Sequence, residues 1–471
     1  MFISSISIKN YRLFPSGGFG LGDINLPNNT DEGSGLTVFV GENGCGKTSL
    51  LEAISLPLLP YKAEAFTIND LNNPAQKTEI EILASSNFTV LKTVPRGDFQ
   101  AKGFRFKGGK RTRDSQTYLS PVIVSDQEFI PADGETNVRT DGPDVRVSVN
   151  NPFIGPRFKE NDILYLGESR IYQTRFGTAK KTRFDHLMED FDFQYLQGVG
   201  PQDLSFTVKS GIGVEIQNTF LKKAIDKFKE ISNAPITLEI LNNYHPFRYA
   251  FFAEKRNNNL QVSLNRIGSG YEMIFSILYS FYLAEQSGKQ LIVLIDEPEL
   301  HLHPKLQQKF VKVLLEISKT AQIILSTQSP LFIKDINYNQ NVKINILKRY
   351  KKDVVVSPIE DQALPLPSAN EVNYIAFELS TPEYHNELYG HLQEKEGKYT
   401  EDVMEKYLED KGIPRNKSYI KSFRGTPSAP YDVTLCTYIR NLIHHPENTS
   451  NAQYSENELR QSIELLRKCL L

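Results

Sequence analysis

The chain has 471 residues, with 54 Lys and Arg against 56 Asp and Glu, for a formal net charge of −2, which excludes a uniformly basic nucleic-acid coat but not local basic patches. Hydrophobic residues at 39% and charged residues at 23% describe a globular chain of about three domain-sized units, large enough to bury a core without staples. Three cysteines (Cys45, Cys436 and Cys469) without CxxC spacing argue against a disulfide framework or zinc site and fit the reducing cytoplasm.

The opening MFISSISIKNYRLF alternates and lacks the long apolar core of a signal peptide. No stretch approaches the roughly 18 apolar residues of a membrane span, so no membrane association is expected. Residues 1–60 read strand, strand, helix. Ile3, Ile6 and Ile8 stud the first strand, and Leu36–Val40 is a short buried one. A glycine-rich turn follows, then a helix through Ser49–Ile54. Residues 61–260 read as a mixed α/β insertion, broken by Pro, Gly and Asn, with a helix near Thr219–Ile231. Within it, Lys102–Arg113 holds six basic residues among Phe104, Phe106 and several glycines. That segment fits either a nucleic-acid contact or a solvated hairpin.

Order returns over 261–370. A helix near Tyr271–Glu285 precedes the strand Leu291–Ile295, and a helix over about Pro304–Lys319 leads to the strand Gln322–Leu325. This alternation predicts α/β architecture with a parallel, helix-covered sheet. Residues 336–370 read as a strand pair and a Pro-rich link, and 371–471 as a helical domain. Thr381 with Pro382, and Ser455 with Glu458, are helix-start signals there.

Three motifs carry chemistry. Gly41-Glu42-Asn43-Gly44-Cys45-Gly46-Lys47-Thr48 is a complete GxxxxGK[ST] phosphate loop between a predicted strand and helix. Its glycines let backbone N–H groups turn inward around phosphates, Lys47 would reach the β- and γ-phosphates, and Thr48 would bind Mg²⁺. The apolar run Leu291–Ile295 ends in Asp296 and Glu297. There Asp296 would hold Mg²⁺ through water, and Glu297 would act as general base. Upstream, Gly268-Ser269-Gly270 heads a helix, where a hydroxyl and N–H groups can bind an anion.

In this order the motifs resemble the ABC-type ATPase heads of the SMC, RecF and OLD-like group, as do the runs VFVGENGCGKTSLLEAI and LIDEPELHLHP. The resemblance covers residues 1–55 and 260–335. It implies a P-loop ABC-type ATPase head that binds ATP and Mg²⁺ through Asn43, Gly44, Cys45, Gly46, Lys47, Thr48 and Ser49, with Asp296 on the metal. It also implies a homodimer or higher oligomer in which Ser269 and Gly270 serve the partner head's nucleotide, and Glu299–His303 form a dimer-contacting loop. The family's switch histidine is replaced here by Gln328, in Ser326-Thr327-Gln328-Ser329-Pro330. Gln328 can still donate to a γ-phosphate but cannot carry a proton's charge, which suits slow turnover.

The family's glutamine loop has only weak candidates, Gln127 and the stretch around Glu168, Ser169 and Arg170. The whole chain is similar to stand-alone ATPases of bacterial anti-phage systems, including those of Septu, retrons and PARIS. That likeness implies a sensor that restrains a separate nuclease of HNH or Toprim type. Two alternatives stay open. Arg440 and His445 resemble the Arg-x4-His motif of HEPN ribonucleases, which implies either a self-contained ribonuclease gated by ATP or a structural or partner-binding helical domain. A RecF-like DNA repair ATPase is the other.

Overall fold

The computed structural model describes residues 2–15, 17–21, 24–58, 70, 72–73, 78–84, 90–91, 104–110, 117–119, 122–124, 129–131, 136–139, 146–147, 161–167, 171–173, 180–182, 220–232, 238–240, 252–255, 261–263, 269–286, 288–336, 339–350, 353–359, 362–423 and 426–471. Gln127, Glu168, Ser169, Arg170 and Gly268 lie outside the described residues, as do Lys102, Gly103 and residues 111–113 of the basic segment. The chain divides into two compact units, Met1–Val356 and Ser357–Leu471.

The first unit begins with β1 (Ile3–Lys9) and β2 (Phe19–Leu21), an antiparallel pair. Next, β3 (Leu36–Val40) runs through the glycine-rich turn into α1 (Lys47–Leu58). The chain returns as β4 (Thr78–Ala84), whose Ile80 and Ile82 lie opposite Ile8 and Ile6 of β1. β5 (Phe104–Lys110), β6 (Thr117–Leu119), β7 (Thr136–Arg139) and β8 (Arg146–Val147) extend this sheet in the order β8-β7-β6-β5-β4-β1-β2. Ile80 and Ile82 are fully buried. Their two-residue spacing is the signature of a strand with one face on a core.

A second sheet carries the chemistry. β9 (Asn161–Leu166) forms one edge. After α2 (Phe220–Ser232) and α3 (Ser269–Gln286) come β10 (Gln290–Asp296), α4 (Pro304–Ile317), β11 (Gln322–Thr327), α5 (Pro330–Ile336), β12 (Lys343–Tyr350) and β13 (Asp353–Pro358). The strand order is β9-β10-β11-β3-β12-β13, with the first four neighbouring pairs parallel. β3 and β11 are buried at every residue and β10 at all but its first. Such near-continuous Val, Ile and Leu runs are what a parallel sheet covered on both faces requires. The span expected as an insertion, 61–260, therefore supplies strands to both sheets, and β9 is part of the parallel sheet itself.

Helix α1 joins the two layers. Leu50, Leu51 and Ile54 share one core with Ile292, Leu294 and Ile324 of the parallel sheet, and with Ile6, Ile8, Ile80 and Ile82 of the other. Each such side chain contributes roughly 1.5–3 kcal/mol by leaving water. A polar link adds register. Buried Gln322, at the start of β11, accepts from Ile3 N at 2.7 Å and donates to Ile3 O at 2.7 Å and Asn25 O at 2.9 Å. On another face, Phe228 of α2 meets Phe275 of α3 edge-on at 5.7 Å.

The second unit is mainly helical. It contains α6 (Ala369–Phe377), α7 (Pro382–Glu396), α8 (Glu401–Asp410), α9 (Leu435–His444) and α10 (Glu456–Leu470), with short strand pairs between α8 and α9. Its core holds Tyr384, Leu388, Ile439, Ile463 and Leu466. The unit begins ahead of the expected residue 371, because Ala363 and Leu364 pack into that core. Thr381 accepts from Tyr384 N at 3.2 Å ahead of Pro382, and Ser455 with Glu458 makes a reciprocal capping box. Both helix starts lie where the sequence signals put them. Among the described residues, no helix is long and apolar enough to cross a membrane.

Candidate active site

Parallel pairing brings the carboxyl ends of β3, β10 and β11 to one edge of the sheet, where open α/β folds place their ligands. Asp296 lies opposite Ser326, and Thr327 opposite Val40. Glycines shape the turn after β3, and Gly41 leaves no space for a side chain. A Cβ on Gly41 would stand 2.4 Å from Leu347 O and 2.6 Å from Cys45 Sγ. Gly46 has φ +99°, a backbone that side-chain-bearing residues rarely adopt. Cys45 is buried beneath the turn, and burial raises its thiol pKa. Asn43 and Gly44 are exposed, Thr48 is half-buried and Ser49 is buried.

Lys47 opens α1 and folds back over the turn. Its Nζ donates to Gly41 O at 2.9 Å and to Glu42 O at 3.0 Å. The same ammonium lies 3.5 Å from Glu297 Oε1, with only 3% of the Lys47 side chain exposed. Glu297 has a left-handed backbone, φ 45° and ψ 62°, held by its N–H bond to Ser326 O at 3.0 Å. A non-glycine residue held there is strained by about 1–2 kcal/mol, and such strain clusters at functional sites. Burial raises the Glu297 pKa, against the opposing pull of Lys47 and with a further push from Asp296.

Asp296 is buried and accepts a hydrogen bond from Ser326 Oγ. Gln328 Nε2 donates to Glu297 Oε2 at 3.3 Å. Lys47, Glu297 and Gln328 are thus brought into one contact network, with Asp296 beside it. A glycine cradle with no room for Cβ atoms at Gly41 fits a phosphate. The oxygen ligands of Thr48 and Asp296 match the preference of Mg²⁺. Ser269 and Gly270 form the first turn of α3, where Gly270 is buried.

Three side chains were not anticipated. Ser326 and Thr327 follow the apolar run Ile323-Ile324-Leu325 in β11, a polar pair that could have flagged them. Glu299, expected only as part of a dimer-contacting loop, turns its carboxylate inward to Thr327 and Gln328. In the same loop His303 accepts from Lys305 N at 3.4 Å as the N-cap of α4. Arg12 pairs with Glu52 of α1 and with Asp70 at 2.7 Å, fastening the turn after β1 to α1.

In the second unit, Arg440 of α9 donates to Asn441 Oδ1 at 2.9 Å, and Asn441 donates to Glu401 Oε2 at 3.2 Å. His445 has left the helix, and its Nδ1 lies 3.3 Å from Glu447 Oε1. Each member of the Arg-x4-His pair is thus engaged in a local contact.

The chain is 25% identical over 379 residues to the OLD nuclease of Thermus scotoductus, which covers 76% of this chain and 65% of that protein. The chain thus spans less than two thirds of that relative's length. It is 23% identical over 395 residues to the "Retron Vc95 probable ATPase" of Vibrio cholerae, covering 73% of this chain and 74% of the relative. Among solved structures, an SMC head bound to the C-winged helix domain of ScpA matches with a TM-score of 0.45 and 13% identity, over 76% of this chain and 98% of that one. The likeness to OLD-like and retron ATPases expected from the motifs holds. Residues 36–334 match the family described as "AAA domain, putative AbiEii toxin, Type IV TA system", and the chain belongs to it.

Proposed function

We propose that the chain binds and hydrolyses ATP with Mg²⁺ and uses that cycle to control a partner nuclease in anti-phage defence. The observation that carries the ATPase reading is the meeting of Lys47, Glu297 and Gln328 at the ends of β3, β10 and β11. Phosphates enter the glycine turn, where the N-terminus of α1 adds favourable partial charge. Lys47 is shared between the turn and Glu297, so a γ-phosphate competes for it and leaves Glu297 free to accept a proton from water. A carboxylate with a raised pKa is the better base near neutral pH. Gln328 holds the other Glu297 oxygen and fixes the direction of that transfer. Thr48 and Asp296 would hold Mg²⁺, which would offset phosphate charge. Ser269 and Gly270 complete the site across a homodimer of heads.

The regulatory role is supported by the names of the relatives, one a nuclease and one a retron ATPase. In this reading the cutting activity belongs to a separate subunit. The test is coexpression of the chain with the nuclease encoded beside it, under phage challenge. Protection should require both genes and be lost in Lys47→Ala. Full protection by the nuclease alone, or by the Lys47→Ala variant, would sink the regulatory reading.

A further inference from the structure

Glu299 lies in the one-turn helix Pro298–His301, yet its carboxylate is buried. One oxygen, Oε1, accepts two hydrogen bonds, from Thr327 Oγ1 at 2.7 Å and Gln328 N at 2.9 Å. Thr327 Oγ1 in turn accepts from Ser329 N at 3.1 Å, and Ser329 Oγ accepts from Phe332 N at 3.2 Å at the start of α5. The loop is pinned from its other side. Gln307 of α4 donates to Glu299 O at 3.3 Å and to Leu302 O at 3.0 Å.

A carboxylate is a costly choice at this position. Burial raises the Glu299 pKa, and among the described residues Oε2 has no hydrogen-bond partner. A charge taken out of water is costly unless it is paired and fully hydrogen-bonded. What the carboxylate does supply is a fixed anchor for the peptide N–H of Gln328, the residue whose side chain reaches Glu297.

We propose that Glu299 is a positioning residue for hydrolysis: it holds the turn after β11 so that Gln328 keeps its bond to Glu297. The inference rests on the ATPase reading of the site. Glu299 acts through Gln328 and not on the reacting atoms, so its loss should lower turnover and spare nucleotide binding.

The experiment uses the full-length protein as wild type, Glu299→Ala, Glu299→Gln, Gln328→Ala and the Glu299→Ala/Gln328→Ala double variant. ATP turnover and binding of a fluorescent ATP analogue are measured for each. Glu299→Ala should lower kcat by at least about tenfold and change the analogue Kd by less than about twofold. Glu299→Gln should recover most of the rate, because its amide oxygen accepts the same two bonds. In the Gln328→Ala background, Glu299→Ala should add less than about a twofold fall, since both act through one contact. Thr327→Val removes one of the two donors while keeping the side-chain shape, and it should lower kcat without loss of binding even if Glu299→Ala aggregates. An active wild type with unchanged kcat in Glu299→Ala and Thr327→Val overturns this inference alone. So does a double variant whose loss is the full product of the single losses. A wild type without ATP turnover overturns the ATPase reading and the inference with it.

Discussion

Lys47 Nζ lies 3.5 Å from Glu297 Oε1, joining the phosphate loop after β3 to the end of β10, which lies beyond β11 in the sheet. The ammonium also serves two carbonyls of its own turn, so it is held in place before any phosphate arrives. Removing it takes away a charge-assisted contact to phosphate, worth about 1.5–3 kcal/mol, or roughly a 10- to 100-fold weakening. Lys47→Ala should therefore bind a fluorescent ATP analogue at least about tenfold more weakly in equilibrium titration. Unchanged affinity would remove Lys47 from the nucleotide site.

Glu297 should separate binding from chemistry. Glu297→Gln keeps the shape and an oxygen to face Lys47, but it has no basic group to take a proton. Its hydrolysis rate should fall by about 10²- to 10⁴-fold, the usual contribution of a positioned base. ATP binding should stay within about twofold, because the base makes no ground-state contact that the substitution removes. Phosphate-release kinetics beside equilibrium binding would read both. Hydrolysis at the wild-type rate would reassign the base.

The sequence carried the local half of this site. The phosphate loop is legible because its glycines, Lys47 and Thr48 follow one another between an apolar strand and a helix. Asp296 and Glu297 are legible because they end an apolar run. The contacts of Gln328 and Glu299 are not local. They exist because β10 and β11 run side by side in parallel, placing Ser326 opposite Asp296 across 30 residues of chain. The same holds for the fold. Periodicity in Thr78–Ala84 does not say that its partner is β1, and nothing near Gln322 points to Ile3, 319 residues away. Strand pairing reads context as much as propensity.

Gly41 should be intolerant of even one added methyl. A Cβ there meets the Leu347 carbonyl at 2.4 Å and Cys45 Sγ at 2.6 Å, and the carbonyl belongs to β12, which cannot yield without disturbing the sheet. Gly41→Ala should cost about 1–3 kcal/mol, in line with other overpacked sites. It should also weaken nucleotide binding by distorting the turn. Gly44→Ala is the control in space, since nothing lies within 4 Å of its Cβ; only its φ of +76° opposes the substitution. Thermal melting should rank wild type above Gly44→Ala and Gly44→Ala above Gly41→Ala. The reverse order would show that the Leu347 contact yields easily.

The second unit should lose stability in mild acid through His385. This side chain on α7 is fully buried, its Nε2 is 2.8 Å from Ser462 Oγ of α10, and its ring stacks on Tyr389. Burial lowers its pKa to about 3, with a small further push from His444. In the unfolded chain the same ring titrates near about 6.5. Below that value the unfolded state takes up the proton first. The stabilisation is therefore complete above about pH 6.5 and falls by up to about 1.4 kcal/mol per pH unit as the pH drops towards the folded value. Hydrogen exchange of α7 and α10, corrected for intrinsic rates, isolates this unit from the rest of the chain. Protection should drop between pH 7.0 and 5.5 in the wild type and change less in His385→Gln, whose amide can keep the Ser462 bond without titrating. Equal pH dependence in the two proteins would mean that the proton is taken up elsewhere in the unit.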